Sequence, residues 1–291
     1  MTTPSTFPPE EGDRAGEVGR RALSVCVLAC NEETLLPDCL DSVAWADELV
    51  VVVDAKSRDA SEQVARERAQ RVEVRPYQGD IEQKSHCVSL ASHDWVFILD
   101  PDEVVSPALS AELQAALRGA PEGVAGFELN RVIHHLGRWV RHGDFHPDWK
   151  LRLFQRSRAR WVGCNPHGRV EVDGPVGRLR GALVHRSYRD LADQVERIQF
   201  FSTEAAEAMY AQGRRARLHH ICLRPPARFL RAYLLKRGFL DGVPGFIIAA
   251  SSAFYVLLKY AKLWERQRSI GANSGAPAAG GRRGGLTRPG R

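Results

Sequence analysis

The sequence predicts an α/β protein built on a doubly wound, mostly parallel sheet, followed by a helical, basic carboxyl-terminal extension. Three observations carry that expectation. Short apolar runs rich in β-formers recur along the first hundred residues, each too short for a typical helix. Segments with apolar residues at three- and four-residue steps lie between them, and a β-α-β-α order implies parallel strands joined by crossover helices. The runs also stop abruptly on acids, and ligands of open α/β sheets bind beyond the carboxyl ends of the strands.

In chain order, Ala22 to Cys30 is the first predicted strand, ended by Asn31-Glu32-Glu33. Leu35, Leu36, Cys39, Leu40, Val43 and Trp45 follow at helical steps. Glu48 to Asp54 is a second buried strand, and Ala55 to Asp59 a polar turn. A helix from Ala60 to about Gln70, a short strand at Val72–Val74 and a helix from Gln83 to Ala91 lead to the strand Trp95–Leu99. That strand runs into Asp100-Pro101-Asp102-Glu103, and Ser106-Pro107 opens another helical pattern.

The chain has 291 residues, 44% hydrophobic and 26% charged, which describes an ordinary globular protein with room for one large domain or two small ones. None of the six cysteines forms a CxxC pair, so neither zinc nor a disulfide framework is indicated, and a reducing cytoplasm is the expected setting. Met1 to about Arg21 lacks an apolar core and reads as a disordered leader, not a signal peptide. Charge is uneven: from Arg214 onward there are 16 Lys and Arg against Asp241 and Glu265, within a chain of net charge +6. Such a basic end suits an anionic surface, either nucleic acid or a membrane leaflet.

No glycine-rich phosphate loop follows the first strand, which argues against a dinucleotide site or a P-loop. Acids stand at the strand ends instead: Glu32, Asp54, Asp100 and Asp102. Two carboxylates on an Asp-x-Asp spacing suit a hard divalent cation shared with a phosphate. The competing use of these acids is to cap the helix after Ser106.

Val27-Leu-Ala-Cys-Asn-Glu32, Val52-Val-Asp-Ala-Lys-Ser-Arg-Asp59, Gln83-Lys84 and Leu99-Asp-Pro-Asp-Glu103 follow one another as in family 2 glycosyltransferases. Pro147 to Phe154, His185-Arg-Ser-Tyr188, Arg224-Pro225 and Gly238 to Gly245 extend the match, and the chain resembles the lipopolysaccharide-core glucosyltransferase branch from about Leu23 to Trp264. The resemblance implies a GT-A-type (Rossmann-like) fold and transfer of a sugar, with inversion, from a nucleotide-diphosphate donor to a lipid-linked or saccharide acceptor. By that likeness Ala29, Asn31 and Glu32 line the nucleoside pocket and Asp54 contacts the base. Asp100 faces the ribose, Lys84 lies near the pyrophosphate, and Asp102 coordinates Mg²⁺ or Mn²⁺. A solvated helix lysine is the structural alternative for Lys84.

The chain departs from the family pattern in three places. Asp54-Ala-Lys-Ser-Arg-Asp59 replaces the usual Asp-Ser-Gly-Ser-Thr-Asp, and Pro101 stiffens the carboxylate turn. At Pro166-His167-Gly168-Arg169-Val170, relatives tend to have His-Glu, so Gly168 stands where a carboxylate is expected. Inverting transfer needs a general base for the acceptor hydroxyl. The candidates are Asp148, Asp144, His167 and Glu171; Asp148 is the first choice and His167, which titrates near neutral pH, the second.

The expected organisation is a leader (1–21), a glycosyltransferase domain (22–190, its nucleotide half ending near 105), a helical extension (191–268) and a disordered tail (269–291). The half after 105, with Trp139, Trp149 and Trp161, reads as the acceptor side. Leu191 to Gln212 forms an amphipathic helix. Arg224 to Arg237 forms a helix after prolines with cations among aromatic and aliphatic residues. Val243 to Leu258 is apolar but interrupted by Pro244-Gly245, and reads as too short to span a bilayer. Together these suit a non-spanning contact with an anionic leaflet on the cytoplasmic face. Three other classes compete: a non-catalytic or impaired sugar-nucleotide-binding homologue, a nucleotidyltransferase, and a nucleic-acid binder. The last is disfavoured because its cations are interleaved with aliphatic runs.

Overall fold

The computed structural model describes residues 20–119, 121–163 and 168–273. Four parallel strands form the amino-terminal half: β1 (Leu23–Ala29), β2 (Glu48–Asp54), β3 (Arg71–Arg75) and β4 (Trp95–Leu99), ordered β3-β2-β1-β4. Strands β2 and β4 are buried along their whole length, as continuous Val/Ile/Leu runs require, whereas β3 at the edge has no fully buried residue. Helices α1 (Leu36–Asp41), α2 (Ser61–Arg68), α3 (Asp80–Leu90) and α4 (Pro107–Gly119) fill the crossovers. One face packs Phe97, Leu109, Leu113 and Leu153, and the other packs Val50, Val52, Val96 and Ile98 against Cys87 and Val88 of α3.

Two helices differ from the sequence expectation. Helix α1 ends at Asp41, and Val43 is buried through successive turns, because β2 must begin at Glu48. Helix α3 begins at Asp80, ahead of the apolar pattern: Gly79 turns the chain at φ +137°, and Asp80 and Glu82 sit in the first turn, where the macrodipole favours acids.

The second half adds β5 (Glu103–Val105), β6 (Gly126–His135), β7 (Arg138–Val140), β8 (Asp148–Gln155) and β11 (Val176–His185) to the same sheet, in the order β4-β8-β6-β11-β5. A separate ribbon pairs β9 (Ala159–Val162) with β10 (Arg169–Val172). Strand β5 leaves β4 after only a short turn, yet pairs at the far edge with β11, His185 opposite Glu103. The sheet therefore curls, and the end of β11 returns beside the carboxyl end of β4. Gly181 sits at the irregularity in β11, where a Cβ would strike the Leu109 backbone of α4.

The carboxyl-terminal region comprises α5 (Leu191–Ala211), α6 (Leu218–Cys222), α7 (Arg224–Leu230), a π-helical turn (Arg231–Leu235), a 3₁₀ turn (Gly238–Asp241) and α8 (Gly242–Asn273). Asp190 caps α5 by accepting from the Asp193 amide at 2.8 Å. Asp190→Ala should cost about 1 kcal/mol, read as a lower urea midpoint at unchanged slope. Pro225 and Pro226 lie within the first turn of α7 rather than before it.

The expectation that the apolar Val243–Leu258 run is too short to span is corrected. Pro244 falls in the first turn of α8, where its missing N–H costs nothing, so the helix continues for 32 residues. The stretch Gly238–Arg268 is long and apolar enough to cross a membrane by length and composition, with 33% of its apolar window buried in the protein. The helix also runs to Asn273, into the stretch read as a disordered tail.

The extension is tied firmly to the sheet half. Asp144, its side chain 1% exposed, pairs with Arg228 at 2.7 Å and Lys236 at 3.1 Å. The Asp241 carboxylate accepts from the Arg141 and His142 amides and meets His142 Nδ1 at 2.9 Å, while Ile248 packs on Ile133 and Val140.

Candidate active site

The carboxyl ends of β1, β2 and β4 lie side by side, Ala29 opposite Val53 and Val27 opposite Leu99, so the acids that follow them share one edge. The loops after β1 and β2 are stitched together by polar contacts. Asn31, at φ +57°, donates its backbone amide to Ser57 Oγ and accepts from the Arg58 amide at its side-chain oxygen. The Glu32 amide donates to Ser61 Oγ at 2.7 Å, and the Glu33 amide to Asp59. Asp54 is buried and accepts from the Lys56 amide at 3.0 Å. Ala29, Asn31, Glu32 and Asp54 thus fall in one framework, though Ala29 and Glu32 are themselves buried.

Asp100 anchors a chain of alternating charges. Lys84 on α3 lies 3.2 Å from Asp80 and 3.7 Å from Asp100. Arg152 on β8 meets Asp100 at 2.5 Å and Glu103 at 2.8 Å, and Glu103 is fully buried. Arg131 on β6 joins Glu103 at 3.3 Å to Asp148 at 2.7 Å, and Lys150 closes the chain on Asp148 at 3.0 Å. Burial raises the Asp100 carboxyl, but Arg152 and then Lys84 outweigh it and hold it well below the usual range. Burial likewise pushes Asp148 up, and Arg131 and Lys150 bring it below normal. The acids do not cap α4, since Ser106 Oγ accepts from the Leu109 amide there.

Asp102 points elsewhere. It is 2% exposed, and its Oδ2 lies 3.1 Å from His185 Nε2, which the curl of the sheet delivers. His185 Nδ1 lies 2.5 Å from Ser187 Oγ. Ser187 can donate to that nitrogen or accept from it, so it supports either tautomer of the ring. An oxygen and a nitrogen donor about 3 Å apart match one edge of an octahedron with metal–ligand bonds of about 2.1 Å. The pair therefore fits a divalent cation that takes its remaining ligands from a diphosphate and water. Among the described residues no group of three or more His, Cys, Asp or Glu forms a metal cluster.

A cleft of about 940 Å³ opens over this edge, lined by Asp80, Lys84, Asp100, Trp149, Trp161 and Gly168 among others. Of the predicted donor-site residues, Lys84 and Asp100 face it, and Asp148, the first-choice base, is not among its lining residues. Glu171 lines it too, but is tied to Arg160 at 2.9 Å and Arg169 at 2.8 Å. Asp144 is withdrawn as a base candidate, because it is sealed between Arg228 and Lys236. His167 lies outside the described residues. Gly168 faces α3, and a Cβ there would strike the Ile81 side chain.

Residues 24–175 match the sequence pattern of glycosyl transferase family 2. The chain belongs to that family. It is 28% identical over 251 residues to the lipopolysaccharide core biosynthesis glycosyltransferase LpsC of Rhizobium meliloti (strain 1021), covering 84% of this chain and 92% of LpsC. Among solved structures it is similar to the mannosyltransferase PcManGT of Pyrobaculum calidifontis, in complex with GDP-Man and Mn²⁺ (16% identity, TM-score 0.48, 86% of this chain and 89% of that one). Glucosyl-3-phosphoglycerate synthase of Mycobacterium tuberculosis, with Mn²⁺, UDP-glucose and phosphoglyceric acid, matches over 38% of this chain and 44% of its own (26% identity, TM-score 0.34).

The fold of this family 2 glycosyltransferase is thus the expected α/β architecture with a helical carboxyl-terminal region. The sequence assigns no role to Arg131, Arg152 or His185. A buried arginine facing two acids has no local signature. His185 closes β11, and its only signal in the sequence is the motif His185-Arg-Ser-Tyr188.

Proposed function

We propose that this protein is an inverting, metal-dependent glycosyltransferase of the cytoplasm. It would move a sugar from a nucleotide-diphosphate donor to a saccharide or lipid-linked acceptor of the lipopolysaccharide core or a related envelope glycan. The observation that carries the reading is the strand edge itself: Asp100 and Lys84 border the cleft, and Asp102, two residues beyond Asp100, is paired with His185. The 28% identity to LpsC over most of both chains supports the acceptor class.

The loops around Ala29, Asn31, Glu32 and Asp54 would hold the nucleoside, with Asp100 towards the ribose. Lys84, now shared between Asp80 and Asp100, would turn one donor hydrogen towards the diphosphate. Asp102 and His185 would hold Mg²⁺ or Mn²⁺, and the imidazole donor favours Mn²⁺ of the two. A bound divalent cation there supplies charge stabilisation for the departing diphosphate. The acceptor hydroxyl attacks C1 from the face opposite the diphosphate. Its proton passes to a carboxylate, and the C1–O electron pair leaves with the nucleoside diphosphate.

Asp148 is the proposed proton acceptor, although its two cationic partners lower its basicity. Asp148→Asn should then lower kcat by roughly 10²–10⁴-fold with donor affinity kept, measured by coupled nucleoside diphosphate release and donor titration. A second reading places the base at Asp80. That residue lines the cleft one position from Ile81, the side chain against which Gly168 packs. Loss of turnover in Asp80→Asn with Asp148→Asn active would transfer the role.

A further inference from the structure

The extension presents a surface unlike the rest of the molecule. Leu223, Leu230, Leu234, Leu235, Leu240 and Val243, running from the end of α6 through α7 and the following turns into the start of α8, are all exposed, Leu235 to 80% and Val243 to 71%. Left in water, that apolar area forgoes about 25 cal/mol for each Å² it could bury, and contiguous patches of this kind mark interaction sites. The same stretch, Arg214 to Leu240, contains Lys and Arg residues but no Asp or Glu. Arg228 and Lys236 are consumed by Asp144, whereas Arg217, Arg231 and Arg237 stand exposed among the leucines. Apolar side chains interleaved with unneutralised cations are complementary to a layer with an apolar interior and an anionic rim.

We propose that this surface seats the protein on an anionic lipid leaflet without crossing it. The leucines enter the acyl boundary, and Arg217, Arg231 and Arg237 meet headgroup phosphates. Helix α8 is long enough to span, but its packing opposes that. Ile248 is buried against the sheet half, Lys262 Nζ donates to Gln199 O, Ser202 Oγ and Thr203 Oγ1, and Arg266 pairs with Glu207 at 2.6 Å. Threading α8 through a bilayer would strip those partners or draw the charged face of α5 into hydrocarbon.

The seat is coupled to the cleft. The Gly143 amide donates to Lys236 O at 2.9 Å, and the clamped segment from Arg141 through Asp144 runs on to Asp148. Lipid contact would therefore fix how the acceptor side faces the leaflet. This deepens the reading of an envelope-glycan transferase and rests on it for the acceptor alone.

The test is co-sedimentation of the full chain with phosphatidylcholine vesicles, with and without phosphatidylglycerol, at low and high salt. Binding should require phosphatidylglycerol and fall with salt. Arg231→Gln/Arg237→Gln should weaken it by roughly 30-fold, and Leu235→Asp/Leu240→Asp should weaken it at least as much. Bound protein should be released by alkaline carbonate. Equal binding by both double variants would overturn the assignment of this surface, and resistance to carbonate would overturn the non-spanning mode. A concentration-dependent increase in mass, lost in the leucine variant and without vesicle binding, would assign the face to a second copy instead. Donor hydrolysis in vesicle-free buffer, measured on the same variants, reports separately on the catalytic reading and should be unchanged.

Discussion

Asp102→Asn is expected to lower metal-dependent release of nucleoside diphosphate by roughly 10²–10³-fold. Asn keeps the shape of the side chain, and its amide oxygen can still accept from His185 Nε2, now 3.1 Å from Asp102 Oδ2. On the proposed function, what it would lose is the negative charge that would hold a divalent cation, and with it part of the stabilisation of the leaving diphosphate. The melting temperature should therefore change little while turnover collapses. His185→Gln should cost less, about 10–100-fold, because the carboxylate remains. Initial rates across a Mn²⁺ titration separate the two roles: a lost ligand raises the Mn²⁺ requirement, whereas a purely structural residue lowers stability without shifting it.

Arg152→Ala is expected to destabilise the fold by about 3–5 kcal/mol at neutral pH, read from urea unfolding. The guanidinium lies 2.5 Å from Asp100 and 2.8 Å from Glu103, and Glu103 has no contact with water. Removing it leaves the buried Glu103 carboxylate facing the partly exposed Asp100 carboxylate, with Arg131 at 3.3 Å from Glu103 and Lys84 at 3.7 Å from Asp100 as the remaining cations. The pH dependence has a definite sign. Asp100 in the parent protein is held well below the usual carboxylate range, so its contribution is present above the unfolded value of about 3.9. It is lost as pH falls through the lower folded value. In the variant, burial acts on Asp100 without its main opposing cation, and protonation then relieves the site. The deficit relative to the parent should be largest near pH 7 and narrow below about pH 5.

The strand edge was legible because β2 and β4 announce themselves as uninterrupted apolar runs ending in Asp54 and Asp100. Period and punctuation sufficed to place Asp54, Asp100 and Asp102 at the carboxyl ends of strands, whereas Lys84 on α3 was reached only through the family resemblance. The charge network was not legible, since Arg131 and Arg152 reach Glu103 only through the pairing of β4, β6 and β8, which no local pattern encodes. The same holds for His185, brought to Asp102 by the curl that sets β11 beside β5. Helix α8 was misjudged because Pro244-Gly245 was taken as an interruption, when a proline in the first turn is compatible with a helix. Asp144 shows the converse case: an acid just before β8 serves to clamp the extension.

The most direct measurement is nucleoside diphosphate release from a panel of UDP-, GDP- and dTDP-sugars with Mn²⁺ or Mg²⁺, for the parent protein and Asp102→Asn, with membrane-extracted acceptors present. Metal-dependent release from one donor, lost in the variant, is the expected result and would name the nucleotide and sugar. Absence of binding and turnover for every donor, with or without metal, would contradict the assignment of this strand edge as a donor site.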